Sequence, residues 1–158
     1  MTARRISLVG CSGVGKSTLA RRVAARCGLP HLELDGLFHQ PGWTPLETEE
    51  FQGRVDAFMD RHDSWIIDGN YSRVRDRVWQ RATLVAWLDL SRARTMRQVI
   101  SRTWRRARDR EELWNGNRER WQDVLSLDPK RSILMWAWTQ HRSRPVSPWH
   151  TTLERSQG

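Results

Sequence analysis

At 158 residues, with a 38% hydrophobic fraction and ten tryptophans, the chain has one domain's length and apolar surface enough for one packed core, which argues against a second large domain. Its formal charge of +9 is carried almost wholly by arginine, since Lys16 and Lys130 are the only lysines; this balance suits a protein that binds phosphates, with nucleic acid as the minority reading. No run approaches membrane-spanning length, no secretory leader precedes Gly10, and Cys11 and Cys27 have neither CxxC nor zinc-ligand spacing, so a soluble cytoplasmic protein without a membrane partner is expected.

In chain order, the apolar run Ile6 to Val9 predicts a strand, and Lys16 to Cys27, with Leu19, Val23 and Cys27 at four-residue spacing, predicts the helix that follows a glycine loop. His31 to Leu34 reads as a second strand ending at Asp35-Gly36. A loop rich in Pro, Gly and Trp runs to Trp43. Thr44 as cap, Pro45 in the first position and Glu47 as acceptor predict a helix that buries Phe51, Val55, Phe58 and Met59. Trp65-Ile66-Ile67 reads as a buried strand ending at Asp68-Gly69, and Ser72 opens a basic helix with Val74, Val78 and Trp79. Leu84 to Leu88 is a continuous apolar run of the kind covered on both faces, and Ser91 caps a helix with Met96, Val99, Ile100, Thr103 and Trp104 on one face. Residues 102 to 120 are Arg-rich around the turn-forming Asn115-Gly116-Asn117, and Asp128-Pro129 opens a last helix. The alternation predicts an α/β fold with a parallel sheet.

Gly10-Cys11-Ser12-Gly13-Val14-Gly15-Lys16-Ser17 satisfies the phosphate-loop pattern G-x-x-x-x-G-K-[ST], between a predicted strand and a predicted helix. In that pattern backbone N–H groups, here those of Gly10, Ser12, Gly13, Val14, Gly15 and Thr18, surround the phosphates of a nucleoside triphosphate. Lys16 reaches the β- and γ-phosphates, and Ser17 offers its hydroxyl to Mg²⁺. Asp68, at the carboxyl edge of its strand, is the candidate second metal group, with a plain turn cap as the competing reading. Asp35 is the candidate base for an acceptor hydroxyl, against another ordinary Asp-Gly turn. Arg73, Arg102 and Arg106 are the candidate phosphate clamps among the clustered arginines, many of which do no more than solvate a helix face. The tryptophans at 104, 114, 121, 136 and 138 are core or base-stacking residues, and the sequence does not sort them.

These segments, together with Leu34 to His39, Gly42-Trp43-Thr44-Pro45, Trp65 to Tyr71, Trp87-Leu88-Asp89-Leu90, Leu113 to Glu119 and Trp136 to His141, resemble adenylate-kinase-like bacterial P-loop kinases, including the group named DNA topology modulation proteins. The resemblance runs to about residue 142 and rests most on Asp68-Gly69-Asn70-Tyr71 and on Trp114-Asn115-Gly116-Asn117-Arg118. It implies a three-layer P-loop NTPase fold of the nucleoside-monophosphate-kinase type over residues 1–158, with an acceptor-binding insertion at about 35–62 and a helical lid at about 102–121. It also implies that Asp68 is the acid of the second nucleotide-binding motif and that Arg73 lies near substrate. Such relatives continue into a final strand and helix where this chain has Ser143 to Gly158 with two prolines, which leaves ATP-over-GTP preference open.

The function expected is therefore ATP- and Mg²⁺-dependent phosphoryl transfer to a small molecule, a nucleoside or nucleotide among the candidates. The alternatives are a nucleotide-binding regulator associated with nucleic acid and a degenerate fold that binds nucleotide without turnover. Acceptor identity and oligomeric state are not encoded in any motif.

Overall fold

The computed structural model describes residues 3–109 and 111–118. The elements are β1 (Arg5–Gly10), α1 (Lys16–Cys27), β2 (His31–Glu33), α2 (Leu34–Phe38), β3 (His39–Gln40), β4 (Thr44–Pro45), α3 (Thr48–Arg61), β5 (Trp65–Asp68), α4 (Ser72–Arg81), β6 (Leu84–Leu88) and α5 (Arg92–Asp109), with 3-10 turns at Pro41–Trp43 and Trp114–Gly116. Four strands form a parallel sheet in the order β2-β5-β1-β6. β1, which leads into the glycine loop, is therefore flanked on both sides, with Leu8 opposite Asp68 and Gly10 opposite Leu88.

The β5 segment shows why the sheet has a layer of helices on each face. All four of its residues are buried, and its side chains alternate between two cores as strand geometry requires. Trp65 and Ile67 pack with Phe51, Val55 and Met59 of α3 and with Val74 and Val78 of α4. Ile66 points the other way, to Leu8 and to Ala20 and Ala24 of α1. This is the three-layer arrangement of a P-loop NTPase. Its consequence is that β1, β2 and β5 all deliver their carboxyl ends to one edge of the sheet, where open α/β sheets bind ligands.

Several local expectations change. Thr44 and Pro45 do not start a helix; they pair antiparallel with Gln40 and His39. Pro45 lacks an N–H but is tolerated on so short an edge, and α3 begins at Thr48 after Leu46 has turned into the core. The second strand stops at Glu33, because Leu34 turns into the larger core at 3% exposure, so Asp35 lies in the first turn of α2 instead of ending a strand. Residues Arg102 to Asp109, the first part of the expected Arg-rich helical lid, continue α5 as helix. The buried stripe of α5 is Thr95, Val99, Thr103 and Ala107, whereas Ile100 and Trp104 are exposed. β6 pairs only with β1 among the described residues and leaves Leu84 and Trp87 exposed, so it is not covered on both faces. The expected last helix, Trp121, Trp136, Trp138 and the segment 143–158 lie outside the described residues.

Candidate active site

The glycine loop is shaped by close packing. A Cβ on Gly13 would lie 2.1 Å from Cγ2 of Val99 on α5, and its φ of +84° is one that side chains disfavour. Glycine there lets α5 seat directly on the loop. With α5 so placed, Arg102, Arg105 and Arg106 reach the same cavity as the loop, Arg102 and Arg106 from neighbouring turns of one helix face.

That cavity has a volume of about 260 Å³ and is lined by Ser12, Gly13, Gly15, Lys16, Ser17 and Thr18 from the loop and α1, together with Glu33, Asp35, Arg21, Glu111, Trp114 and the three α5 arginines. A second hollow of about 450 Å³ adjoins it through Gly13, Gly15, Thr18, Arg102 and Arg105 and adds Val14, Leu19, Arg22, Leu88 and Gln98. Gly10 lines neither hollow; it packs against the carbonyl of Leu88. Arg73 is also outside: its guanidinium stands 5.4 Å from the centre of the Phe38 ring. The structure thus gathers Lys16, Ser17, Asp35, Arg102 and Arg106 around one space, and leaves Arg73 on the aromatic core behind it.

Lys16 Nζ donates to the carbonyl of Cys11 at 2.8 Å. Burial pulls the Lys16 ammonium below its ordinary value, and the charges of Asp35 and Asp68 partly offset this. Asp68 is 1% exposed, and neither carboxylate oxygen accepts a hydrogen bond among the described residues; Nε2 of His31 lies 3.5 Å from Oδ1. A buried carboxylate without donors is costly unless a cation meets it. Its oxygens and the Ser17 hydroxyl are hard donors, and Mg²⁺ typically takes few protein oxygens when phosphates and water complete its shell, so these residues fit that ion.

Asp35 is held differently. Tyr71 Oη donates to its Oδ1 at 2.6 Å, and Nε2 of His39 lies 3.4 Å from the same hydroxyl. Burial first and the Asp35 charge second push the Tyr71 phenol far above its ordinary value, so it stays protonated; burial lowers His39, with Asp35 opposing.

The segment 113–118 closes this region. Asn115 Nδ2 donates to the carbonyls of His39 at 2.6 Å and Gly36 at 3.2 Å. Asn117 Nδ2 donates to the Gln40 carbonyl at 2.9 Å, and Asn117 Oδ1 accepts from the Trp43 amide at 2.9 Å. Trp114 covers Gly36 and lies nearly parallel to the His39 ring, centroids 6.1 Å apart. These residues tie the end of the Arg-rich region to the segment 36–43.

The sequence pattern assigns no role to Tyr71 or to the two asparagines as clips, and leaves Trp114, which lines the cavity, among the tryptophans it does not sort. The signal for Tyr71 was available: β2 and β5 are neighbours with Glu33 opposite Asp68, so residues two past Glu33 and three past Asp68 leave the same sheet edge together.

No family model matches the chain, and no curated protein matches it. Among solved structures, an unliganded sugar kinase from Janibacter sp. HTCC2649 is 21% identical, with 92% of this chain and 80% of that one covered and a TM-score of 0.51. A gluconokinase from Sinorhizobium meliloti 1021 is 23% identical over 65% of this chain and 67% of that one, with a TM-score of 0.46. At 21% identity the first likeness shows a shared α/β fold, in keeping with the P-loop arrangement described above, and nothing finer. No helix among the described residues is long and apolar enough to cross a membrane.

Proposed function

We propose that the chain is an ATP- and Mg²⁺-dependent phosphotransferase acting on a hydroxyl group of a small molecule. The observation that carries this reading is the shared cavity: a carboxylate, Asp35, faces the same space as Lys16, Ser17 and the α5 arginines. A carboxylate on the wall of that space is within the region where an acceptor hydroxyl would lose its proton. ATP would supply the γ-phosphoryl group, and Ser17 and Asp68 are the residues that would hold Mg²⁺, whose charge would offset that of the phosphates.

The chain's own residues do the rest. The loop amides and Lys16 hold the phosphates, and the adjoining 450 Å³ hollow is the space for the nucleoside. The acceptor oxygen bonds to the γ-phosphorus, its proton passes to Asp35, and the bond to the β–γ bridging oxygen breaks with its electron pair leaving on ADP. Arg102 and Arg106 offset the charge spread over the transferring oxygens, which counts for most where water is excluded. A nucleoside or nucleotide acceptor follows from the family resemblance, a sugar from the kinase whose fold the chain shares.

The nucleic-acid reading has less support. Some of the arginine charge is already engaged, as Arg54 with Glu50, Arg77 with Asp56, Arg81 with Asp60 and Arg118 with Glu112. The test is acceptor-dependent ADP release across nucleosides, nucleoside monophosphates, sugars and aminoglycosides. Activity should appear with one acceptor class and vanish in Lys16→Ala; ATP binding without any acceptor-dependent release would favour the regulatory or degenerate alternative.

A further inference from the structure

Tyr71 is the only tyrosine in the chain. Its ring packs against Phe38, centroids 4.6 Å apart, and Phe51, at 5.4 Å, so its hydroxyl is delivered to Asp35 by a rigid aromatic cluster. A phenol has one proton, and the 2.6 Å contact to Asp35 Oδ1 takes it. The side of that oxygen toward His39 therefore offers only lone pairs. Nε2 of neutral His39, 3.4 Å away, then carries the ring hydrogen, and both protons in the row point toward the carboxylate. One oxygen of Asp35 is engaged; Oδ2 is left for the cavity that Asp35 lines.

We infer that Tyr71 is a positioning residue for phosphoryl transfer, fixing the rotamer of Asp35 so that its second oxygen meets the acceptor hydroxyl, with His39 orienting Tyr71 in turn. This deepens the reading of Asp35 as base and rests on it. Tyr71 gives up no proton in the step; the acceptor's proton goes to Asp35. The other charged groups facing Asp35 are Lys16 and Arg21 of α1, Arg102, Arg105 and Arg106 of α5, and the acids Glu33 and Glu111. A Tyr71→Phe substitution leaves all of them in place.

The experiment compares wild type, Tyr71→Phe and Asp35→Asn in steady-state kinetics, with the acceptor found in the panel. Tyr71→Phe keeps the ring and its packing. Its kcat should fall about tenfold with the acceptor KM changed less than about threefold, the worth of one charge-assisted hydrogen bond. Asp35→Asn should lose at least about a hundredfold in kcat. An unchanged kcat in Tyr71→Phe, beside a crippled Asp35→Asn, would overturn the positioning role and leave the base standing; an Asp35→Asn as active as wild type would remove the base itself. An optical titration gives a readout independent of turnover, because tyrosinate absorbance reports Tyr71 alone. In the folded wild type no tyrosinate should form up to about pH 11, whereas a free phenol ionises near 10, and Asp35→Asn should ionise at lower pH than wild type. Ionisation near 10 in the folded wild type, with no change in Asp35→Asn, would show that the hydroxyl is not held by the carboxylate.

Discussion

The contact between Gly36 and Trp114 gives a substitution whose sign should reverse with its partner. A Cβ at Gly36 would lie 2.7 Å from Cδ1 and 3.2 Å from Nε1 of Trp114, so the indole must shift by roughly 1 Å to restore ordinary contact. It is poorly placed to do so, because Asn115 and Asn117, which follow it directly in the chain, are bonded to Gly36, His39, Gln40 and Trp43. Two effects oppose each other in Gly36→Ala. Gly36 lies in α2 and is not among the positive-φ glycines, so alanine stabilises by about 0.4 to 1 kcal/mol through the unfolded chain. Overpacking against the held indole costs about 1 to 3 kcal/mol. The steric term wins, and Gly36→Ala should destabilise by about 1 kcal/mol net. In a Trp114→Ala background the clash is gone and the same change should stabilise by about 0.5 kcal/mol. Urea unfolding of wild type, both single variants and the double variant measures the cycle. Equal destabilisation by Gly36→Ala in both backgrounds would refute the packing of Trp114 on α2.

Further expectations concern the groups around the loop. Asp68→Asn removes the carboxylate proposed for the metal, so the thermal stabilisation by Mg²⁺ with ATP should shrink and kinase activity fall at least about tenfold. Retained Mg²⁺-dependent activity within threefold of wild type would remove Asp68 from the metal site. His39 makes a pH-dependent contribution: its folded value is lowered by burial, so the unfolded chain binds the extra proton and stability is lost as pH falls below about 6.5, the ordinary histidine value. Replacing it by glutamine should flatten that part of the stability curve; parallel curves for the two proteins would exclude His39 as the source.

The parts of this protein that follow short-range rules were legible in its sequence. The glycine loop announced itself by pattern and context, and β5 by the buried run Trp65-Ile66-Ile67, whose alternation between two cores then fixes the layers. Errors arose where tertiary contacts override local signals. Thr44-Pro45 has the composition of a helix start, yet pairing with His39-Gln40 is available only because the chain folds back there. The apolar face expected for α5 is right at Val99 and Thr103, which are buried, and too wide at Ile100 and Trp104, which are exposed. Asn115 and Asn117 read as turn formers, which they are, but their side-chain bonds to residues more than seventy positions away are invisible to any window. Asp35 was named from a strand end that is in fact a helical turn; the sheet edge still delivers it to the loop, now with Tyr71 as its hydrogen-bond donor.

The central claim is that Asp35 and the phosphate loop serve one reaction. It is tested most directly by measuring ADP release with Mg²⁺, ATP and each member of the acceptor panel in wild type, Lys16→Ala and Asp35→Asn, while ATP binding is followed by thermal shift. The account predicts acceptor-dependent release in wild type, loss of both binding and release in Lys16→Ala, and preserved ATP binding with release reduced at least a hundredfold in Asp35→Asn, the lower end for loss of a general base. Equal release by Asp35→Asn and wild type would contradict it.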